Sequence, residues 1–341
     1  MARRSAFSLV EILVVIAIIV IIISIVVPSL GLVRTASRKT ATQSLITDVS
    51  NASAQFETDN RRLPGYFSAR EMGDQSNDPG SGGRGFTGMQ NALVDLAGGV
   101  TTSTSNSLVV GPFAAAQANR NVRVDLAQIG ATRPGNKAYF AIPARNFTAT
   151  TNATAQLGDQ AHRDLPSLSD AFGTPLLFWS IDESPAAAPT RWQDMAQLTS
   201  NAQQARFYWA SNAAILRSTS LGRQATDNNT KSLIGGAASN PAQSLAGALG
   251  SPGAPSDNRL FPLTSRGKFV VMSAGADGIF FNRESKYWKA RAAEDAILDY
   301  RFNHFVPPGN PGTPRPLDAT TGPFAPDMLQ GFDDVITQGG A

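Results

Sequence analysis

The chain has no cysteine and only two histidines among its 341 residues. The absence of cysteine excludes disulfide scaffolds, thiolate zinc sites and cysteine nucleophiles. His162 and His304 are far apart in the sequence, and no nucleophile motif such as G-x-S-x-G accompanies either of them. We therefore do not expect an enzyme.

Charged residues are also scarce, at 16% of the chain, whereas an ordinary soluble protein has roughly a quarter. The 29 basic and 26 acidic residues nearly cancel and leave a formal charge of +3. Such a balance provides no basic face for phosphates, so we expect no nucleic-acid partner.

A dinucleotide-type pattern, G-x-G-x-x-G, occurs at residues 80–85. The phosphate-cradling geometry of that motif requires a buried strand directly before it. Residues 74–79 are a polar turn sequence instead. We therefore expect no nucleotide site here.

The sequence has one long apolar run, close to its N-terminus. Residues 7–27 read FSLVEILVVIAIIVIIISIVV, in which Glu11 is the one charged residue. A helix of these 21 residues would be about 31 Å long, which matches the hydrocarbon core of a bilayer. Apolar side chains fill every face of such a helix, so a soluble domain could not bury them. The run predicts a membrane-spanning helix.

Glu11 is the exceptional residue in this run, because a carboxylate in hydrocarbon costs about 2.5–3.5 kcal/mol. A plain one-pass anchor accounts for it only if the side chain reaches the interface. A cleaved secretory signal would have a shorter apolar core and a small-residue cleavage site after it. The residues alone leave these alternatives open.

A basic leader precedes the run and a proline follows it. Residues 3–6 read RRSA, the run begins at Phe7, and Pro28 comes directly after it. This string resembles the N-terminal signal of type IV pilins and type II secretion pseudopilins. In that family a membrane peptidase cuts the chain before the phenylalanine and then methylates the new N-terminal amine. The resemblance implies cleavage between Ala6 and Phe7, with Ala6 standing where the family usually has glycine. Glu11 and Pro28 then become the fifth and twenty-second residues of the mature chain.

The resemblance implies a structural subunit of a filament. The new amine of Phe7 would pair with Glu11 of a neighbouring copy, since a carboxylate in an apolar bundle needs a cation. Implied partners are the prepilin peptidase, other pilin or pseudopilin subunits, an inner-membrane assembly platform and membrane lipid. The implied location is the inner membrane, single-pass, with a cytoplasmic N-terminus and the C-terminal domain outside the cytoplasm.

After Pro28 the helix is expected to continue as an amphipathic segment over residues 28–60. Its apolar residues recur at i, i+4, i+7 and i+11, a spacing typical of a helix that packs against a domain. They are Leu45, Val49, Ala52 and Phe56. Residues 59–66, DNRRLPGY, contain helix-stopping residues and resemble the DNGRYP stop of pseudopilins.

Short aromatic or β-branched runs predict strands in the second part of the chain. They are residues 138–142, 175–181, 206–210, 268–272 and 278–281. The predicted fold is α+β: a long N-terminal helix, with a membrane half and an amphipathic half, packed on a small C-terminal antiparallel sheet with long loops.

Two of these runs carry further resemblance to pseudopilins. Residues 170–175, DAFGTP, resemble the DPWGNPY entry to a pseudopilin strand, and residues 273–278, SAGADG, resemble its S-x-G-x-D-G turn. Glycine and Asp-Gly pairs suit tight turns, and proline can open a strand.

Polar, glycine-rich stretches at residues 73–91, 97–112 and 218–258 predict mobile loops that cannot build a core. The Pro/Gly-rich tail is predicted to be irregular. The expected organisation is a leader (1–6), a transmembrane or filament-core helix (7–27), its amphipathic continuation (28–60), a globular α+β domain (61–305) with insertions at about 73–112 and 218–258, and a tail (306–341).

Calcium is the one cofactor to consider, because some pseudopilins hold the ion after the S-x-G-x-D-G turn. Oxygen ligands in that region are Asp277, Asn282, Glu284, Glu294 and Asp295. Their spacing fits no fixed template, and residues 284–300 equally match a short amphipathic helix with solvated carboxylates. The sequence favours the helix, so no metal is assigned.

The sequence therefore predicts a pseudopilin of a type II secretion apparatus. One alternative is a type IV pilin for adhesion, motility or DNA uptake. An alternative of another class is a signal-anchored periplasmic domain that binds a ligand and does not polymerise.

Overall fold

The protein is described from a computed structural model. The structure describes residues 9–81, 83–130, 138–148, 160–183, 196–197, 207–217, 225–236, 245, 249, 267–282 and 333–339. The α-helices in these ranges are α1 (Leu9–Asn60), α2 (Ala69–Met72), α3 (Gly88–Leu96), α4 (Gln160–Asp164), α5 (Ala213–Leu216) and α6 (Ala225–Thr230). The strands are β1 (Ser107–Val110), β2 (Val122–Asp125), β3 (Phe147–Thr148), β4 (Ser167–Leu168), β5 (Leu177–Ser180), β6 (Ala196–Gln197), β7 (Phe207–Tyr208), β8 (Phe269–Ser273) and β9 (Val335–Gly339).

The central sheet has three antiparallel strands in the order β5-β8-β9. Phe178 of β5 lies opposite Val271 of β8, and Val271 lies opposite Thr337 of β9. Two small antiparallel pairs, β1-β2 and β3-β4, and one parallel pair, β6-β7, surround this sheet. The α+β class and the long N-terminal helix are thus confirmed.

Helix α1 runs through Pro28 without interruption, as the sequence predicts. Its residues at 30–41 are exposed, and Thr42 is the first that the domain buries completely. The predicted stripe at Leu45, Val49, Ala52 and Phe56 is buried against the domain. Across the described residues, no helix combines the length and the hydropathy that crossing a membrane requires.

The helix ends where the sequence predicts, after Asn60. The Asn60 amide donates to the Phe56 carbonyl, and Arg61 turns into the left-handed region at φ 54°. Arg62 then forms a bidentate pair with Asp95 of α3, at 2.6 and 3.0 Å between the nitrogen and oxygen atoms. This pair joins the end of α1 to the domain.

Both faces of the central sheet are buried, which makes a three-layer architecture. Alternate side chains of β5 and β8 point to opposite faces. Phe178 and Val271 pack with the α1 stripe, whereas Trp179 and Val270 pack in a second cluster on the other face. That second face is covered by buried residues that include Trp209, Leu216, Leu233, Ile234, Leu245 and Leu249.

The prediction that residues 218–258 cannot build a core is therefore wrong where the structure describes them. Leu233 and Ile234 are almost fully buried under the sheet, although the residues around them are polar. The Asn228 side chain binds the Gly278 carbonyl and the Phe280 N–H. A few aliphatic residues suffice here because side-chain amides satisfy the buried backbone.

The insertion predicted at 73–112 is also structured rather than a mobile loop. It contains α3, which begins with a capping box between Thr87 and Gln90. The buried amide of Asn77 donates to the Met72, Phe86 and Ala210 carbonyls. Composition cannot predict that one side chain binds three backbone carbonyls in this way.

Other expectations are corrected by the structure. The tail is not irregular throughout, because β9 at its end completes the central sheet. Residues 138–142 form no strand; Tyr139 and Phe140 donate their N–H groups to the Leu96 carbonyl and close the end of α3. Residues 278–281 form turns, and the 206–210 run gives the two-residue β7 followed by a 3-10 helix.

Candidate functional site

The N-terminal half of α1 presents an uncovered apolar surface. Leu9 is 80% exposed and Leu32 is 76% exposed, and the isoleucines and valines described between them are exposed on all faces of the helix. Glu11 lies in the first turn of α1, within this surface. The helical backbone includes Pro28, while Ala6 and Phe7 lie outside the described residues.

The two motifs that resemble pseudopilin signatures meet at one point, although the sequence separates them by about a hundred residues. The Ser273 hydroxyl donates to Asp170 Oδ2 at 2.5 Å. Asp170 Oδ1 accepts from the Phe172 and Thr174 N–H groups, both at 2.9 Å. The Asp170 carboxylate thus forms the turn before β5 and fixes it to the end of β8.

The same turn is attached to α1. The N–H of Ala171 donates to Thr42 Oγ1 at 3.2 Å, and Thr42 is fully buried. Gly173, in the same turn, has a φ of 93°, which favours glycine. The junction of Thr42, Asp170 and Ser273 therefore sets the position of the helix on the sheet.

Burial raises the pKa of Asp170 above its ordinary value. The hydrogen bonds from Ser273, Thr174 and Phe172 act in the opposite direction, because they stabilise the ionised form. Asp170 as a whole is only 4% exposed. Removal of the Asp170 carboxylate would leave the donors of Ser273, Thr174 and Phe172 without this acceptor.

The turn after β8 contains Asp277 and Asn282, two of the oxygen-bearing residues considered for calcium. The Asn282 amide donates to Asp277 Oδ2 at 2.7 Å, and the Ile279 N–H donates to Asp277 Oδ1 at 2.8 Å. Both residues thus stabilise the turn itself. Glu284, Glu294, Asp295 and the alternative helix at 284–300 lie outside the described residues.

Two acidic residues that the sequence analysis missed complete this turn. Asp333 Oδ2 accepts from the N–H groups of Ala276 and Asp277, at 2.8 and 3.1 Å. The carboxylate of Asp334 accepts from the Phe281 N–H. The signal that could have found them is a pair of acids directly before the apolar, β-branched start of β9.

Gly275 is required where this turn approaches β9. Its φ is 70°, and a Cβ there would lie 2.3 Å from the Asp333 carbonyl oxygen. The close approach brings Asp333 and Asp334 beside Asp277. Burial first, and then the neighbouring Asp333 and Asp277 charges, raise the pKa of Asp334 well above its ordinary value. Within the described ranges, no group of three histidine or acidic side chains is arranged to hold a metal.

The remaining sequence candidates have structural partners. The His162 ring is fully buried, its Nδ1 contacts the Arg84 carbonyl, and its Nε2 accepts from the Gly111 N–H at 3.2 Å. His304 lies outside the described residues. The G-x-G-x-x-G segment begins at Gly80, within the second of two 3-10 turns, and no strand directly precedes it among the described residues.

Comparison of the chain with protein-family models, with curated proteins and with solved structures finds no match.

Proposed function

We propose that this chain is a pilin-like filament subunit, a pseudopilin of a type II secretion apparatus, which the inner membrane holds through the apolar half of α1 before assembly. The observation that carries the proposal is the division of one continuous helix. Its first half exposes aliphatic side chains on every face, and its second half packs on an α+β domain. Only lipid or other apolar helices can cover such a first half.

The charge pattern supports assembly by stacking. Cleavage before Phe7 leaves a cationic amine four residues before Glu11 in the sequence, and four residues of helix are about 6 Å long. A neighbouring copy displaced by that distance brings its amine beside Glu11. The pairing removes the cost of a carboxylate among apolar side chains and so sets the register of the filament.

The resemblance to pseudopilins, rather than to surface pilins, is supported by the junction of the two signature motifs. Asp170 and Ser273 belong to different motifs and share a hydrogen bond beneath α1. The first motif is also bonded to α1 through the Ala171 N–H and Thr42, so the joined motifs help to hold the helix on its domain.

The proposal is tested by mass spectrometry of the N-terminus of protein extracted from membranes. We expect a mature chain that begins with N-methyl-phenylalanine at Phe7. An Ala6→Gly variant should be processed at least as completely, and an Ala6→Leu variant should stay uncut, because the resemblance implies a small residue before the cut. An intact Met1 in the native protein would contradict the proposal.

A further inference from the structure

The helix α1 has a basic segment between its exposed apolar half and its packed half. We call residues 30–41 the neck; all of them are exposed. Arg34, Arg38 and Lys39 lie in the neck, and the sequence has no acidic residue between Glu11 and Asp48. In the described part of the chain, none of these three cations forms an ion pair.

The part of the domain that the structure describes does not cover the neck, and burial on α1 begins at Thr42. Arg34 follows Val27, the last residue of the apolar run, by about 10 Å along the helix, and Lys39 by about 18 Å. Side chains on a helix lean towards its N-terminus, so these long cationic side chains reach back towards the run. A headgroup layer extends about 5–8 Å beyond the hydrocarbon core, within reach of Arg34.

We propose that the neck binds the phosphate groups of anionic phospholipids at the membrane surface. This inference rests on the proposed function, because headgroups meet the neck only if the apolar run spans the bilayer. Arginine recognises phosphate through paired N–H donors, and lysine adds a point charge. Each juxtamembrane cation increases binding to an anionic surface by about fivefold. The contacts hold the subunit at a fixed depth until the helix leaves the membrane for the filament.

The test measures which lipid the protein retains around its helix. The full chain is reconstituted in phosphatidylcholine vesicles with a trace of spin-labelled phosphatidylglycerol or spin-labelled phosphatidylcholine. Electron paramagnetic resonance gives the motionally restricted fraction of each probe. We expect the native chain to favour phosphatidylglycerol about fivefold or more, and the preference to fall in concentrated salt because the interaction is screened.

A variant with Arg34→Gln, Arg38→Gln and Lys39→Gln should associate with the two lipids about equally. The matched control, Arg61→Gln with Arg123→Gln and Arg145→Gln, removes the same charge from the domain and should keep the preference. A native chain without preference, or a neck variant that retains it, overturns the inference. If the neck variant retains the lipid preference and also fails to assemble, the cations contact a neighbouring copy instead of lipid, and the inference is overturned.

If the proposed function itself is wrong, the same experiment gives a different result. In that case neither probe shows a restricted fraction, and alkaline carbonate extracts the chain from vesicles of phosphatidylcholine alone. A chain that stays inserted but shows no preference contradicts only the inference about the neck.

Discussion

Asp170 holds the turn whose Ala171 N–H is bonded to Thr42 of α1. Its carboxylate accepts from two backbone N–H groups and from the Ser273 hydroxyl in a buried position. A buried donor that loses its acceptor costs about 1–3 kcal/mol. Removal of Asp170 is therefore expected to lower the free energy of unfolding by more than the loss of a single charge would.

Asp170→Ala should lower the free energy of unfolding by about 3 kcal/mol or more, because three donors lose their acceptor. Asp170→Asn should cost less, since its amide oxygen still accepts from the Phe172 and Thr174 N–H groups. Urea unfolding followed by the fluorescence of buried Trp179 and Trp209 measures both. Asp48→Asn on the exposed side of α1 is the control, and a loss as large as that of Asp170→Ala would contradict the assignment.

Asp334 differs from Asp170 in that two further carboxylates, those of Asp333 and Asp277, lie beside it. Its pKa is raised in the folded protein, so between the unfolded and folded pKa values the folded state binds more protons. The free energy of unfolding must then fall as pH rises through this window. Below the unfolded pKa, near 4, the effect disappears.

Asp334→Asn should therefore stabilise the protein at pH 7 by about 1 kcal/mol or more, because a neutral amide keeps an acceptor for the Phe281 N–H and removes the repulsion from Asp333 and Asp277. Thermal melting between pH 4 and pH 7, in the presence of a chelator, measures the effect. The variant and the native protein should converge at the acidic end. A variant that is less stable at every pH would show that the carboxylate is required in its ionised form.

Strand β9 contributes side chains to both faces of the central sheet. It lies beside β8, and Val335 packs into the cluster under α1. Ile336 faces the cluster on the other side of the sheet. The strand therefore joins all three layers.

Val335→Asp should lower the free energy of unfolding by about 3 kcal/mol or more, because it places an unpaired charge in the cluster below α1. Gln338→Asp, on the exposed part of the same strand, should change it by about 0.5 kcal/mol or less. Urea unfolding compares the two variants. Equal, small effects would show that β9 does not stabilise the packing of α1.

The turn that directly follows β8 is the element that the resemblance associates with calcium. Ligand binding to the folded state alone raises the melting temperature. The sequence favours solvated carboxylates over a calcium site, so we expect the same midpoint with calcium as with a chelator. A midpoint that is higher with calcium, and no longer higher in Asp277→Asn, would instead establish the site. Identical midpoints for the native protein would remove the ion from consideration.

At the scale of the whole molecule, Glu11 distinguishes a filament subunit from an anchored binding domain. Glu11→Val should ease membrane insertion, because the apolar run then has no charge. The same change should reduce filament assembly about tenfold or more, because the amine of Phe7 loses its partner in the neighbouring copy. Electron microscopy and sedimentation of detergent-extracted protein measure assembly.

A Glu11→Asp variant keeps the charge and should assemble better than Glu11→Val. Glu11→Val protein that forms filaments as readily as the native chain would contradict the proposed pairing. Because the two variants can differ in insertion, assembly is compared between samples adjusted to equal amounts of membrane-inserted protein.

The sequence was sufficient wherever a signal is local. The stripe from Leu45 to Phe56 follows from helical periodicity, and the end of α1 follows from the Asn60 stop. Strands β5 and β8 follow from short runs of aromatic and β-branched residues. The two signature motifs could be recognised, but nothing in the sequence connects Asp170 with Ser273.

The features that the sequence did not predict depend on contacts between residues far apart in the chain. Polar segments such as that around Asn77 are ordered because side-chain amides satisfy buried backbone groups, and β9 becomes a strand because β8 offers it an unpaired edge. Asp333 and Asp334 acquire their roles only when the turn at Gly275 meets that strand. Composition and periodicity describe neighbours along the chain, whereas burial, pairing and a raised pKa depend on neighbours in space.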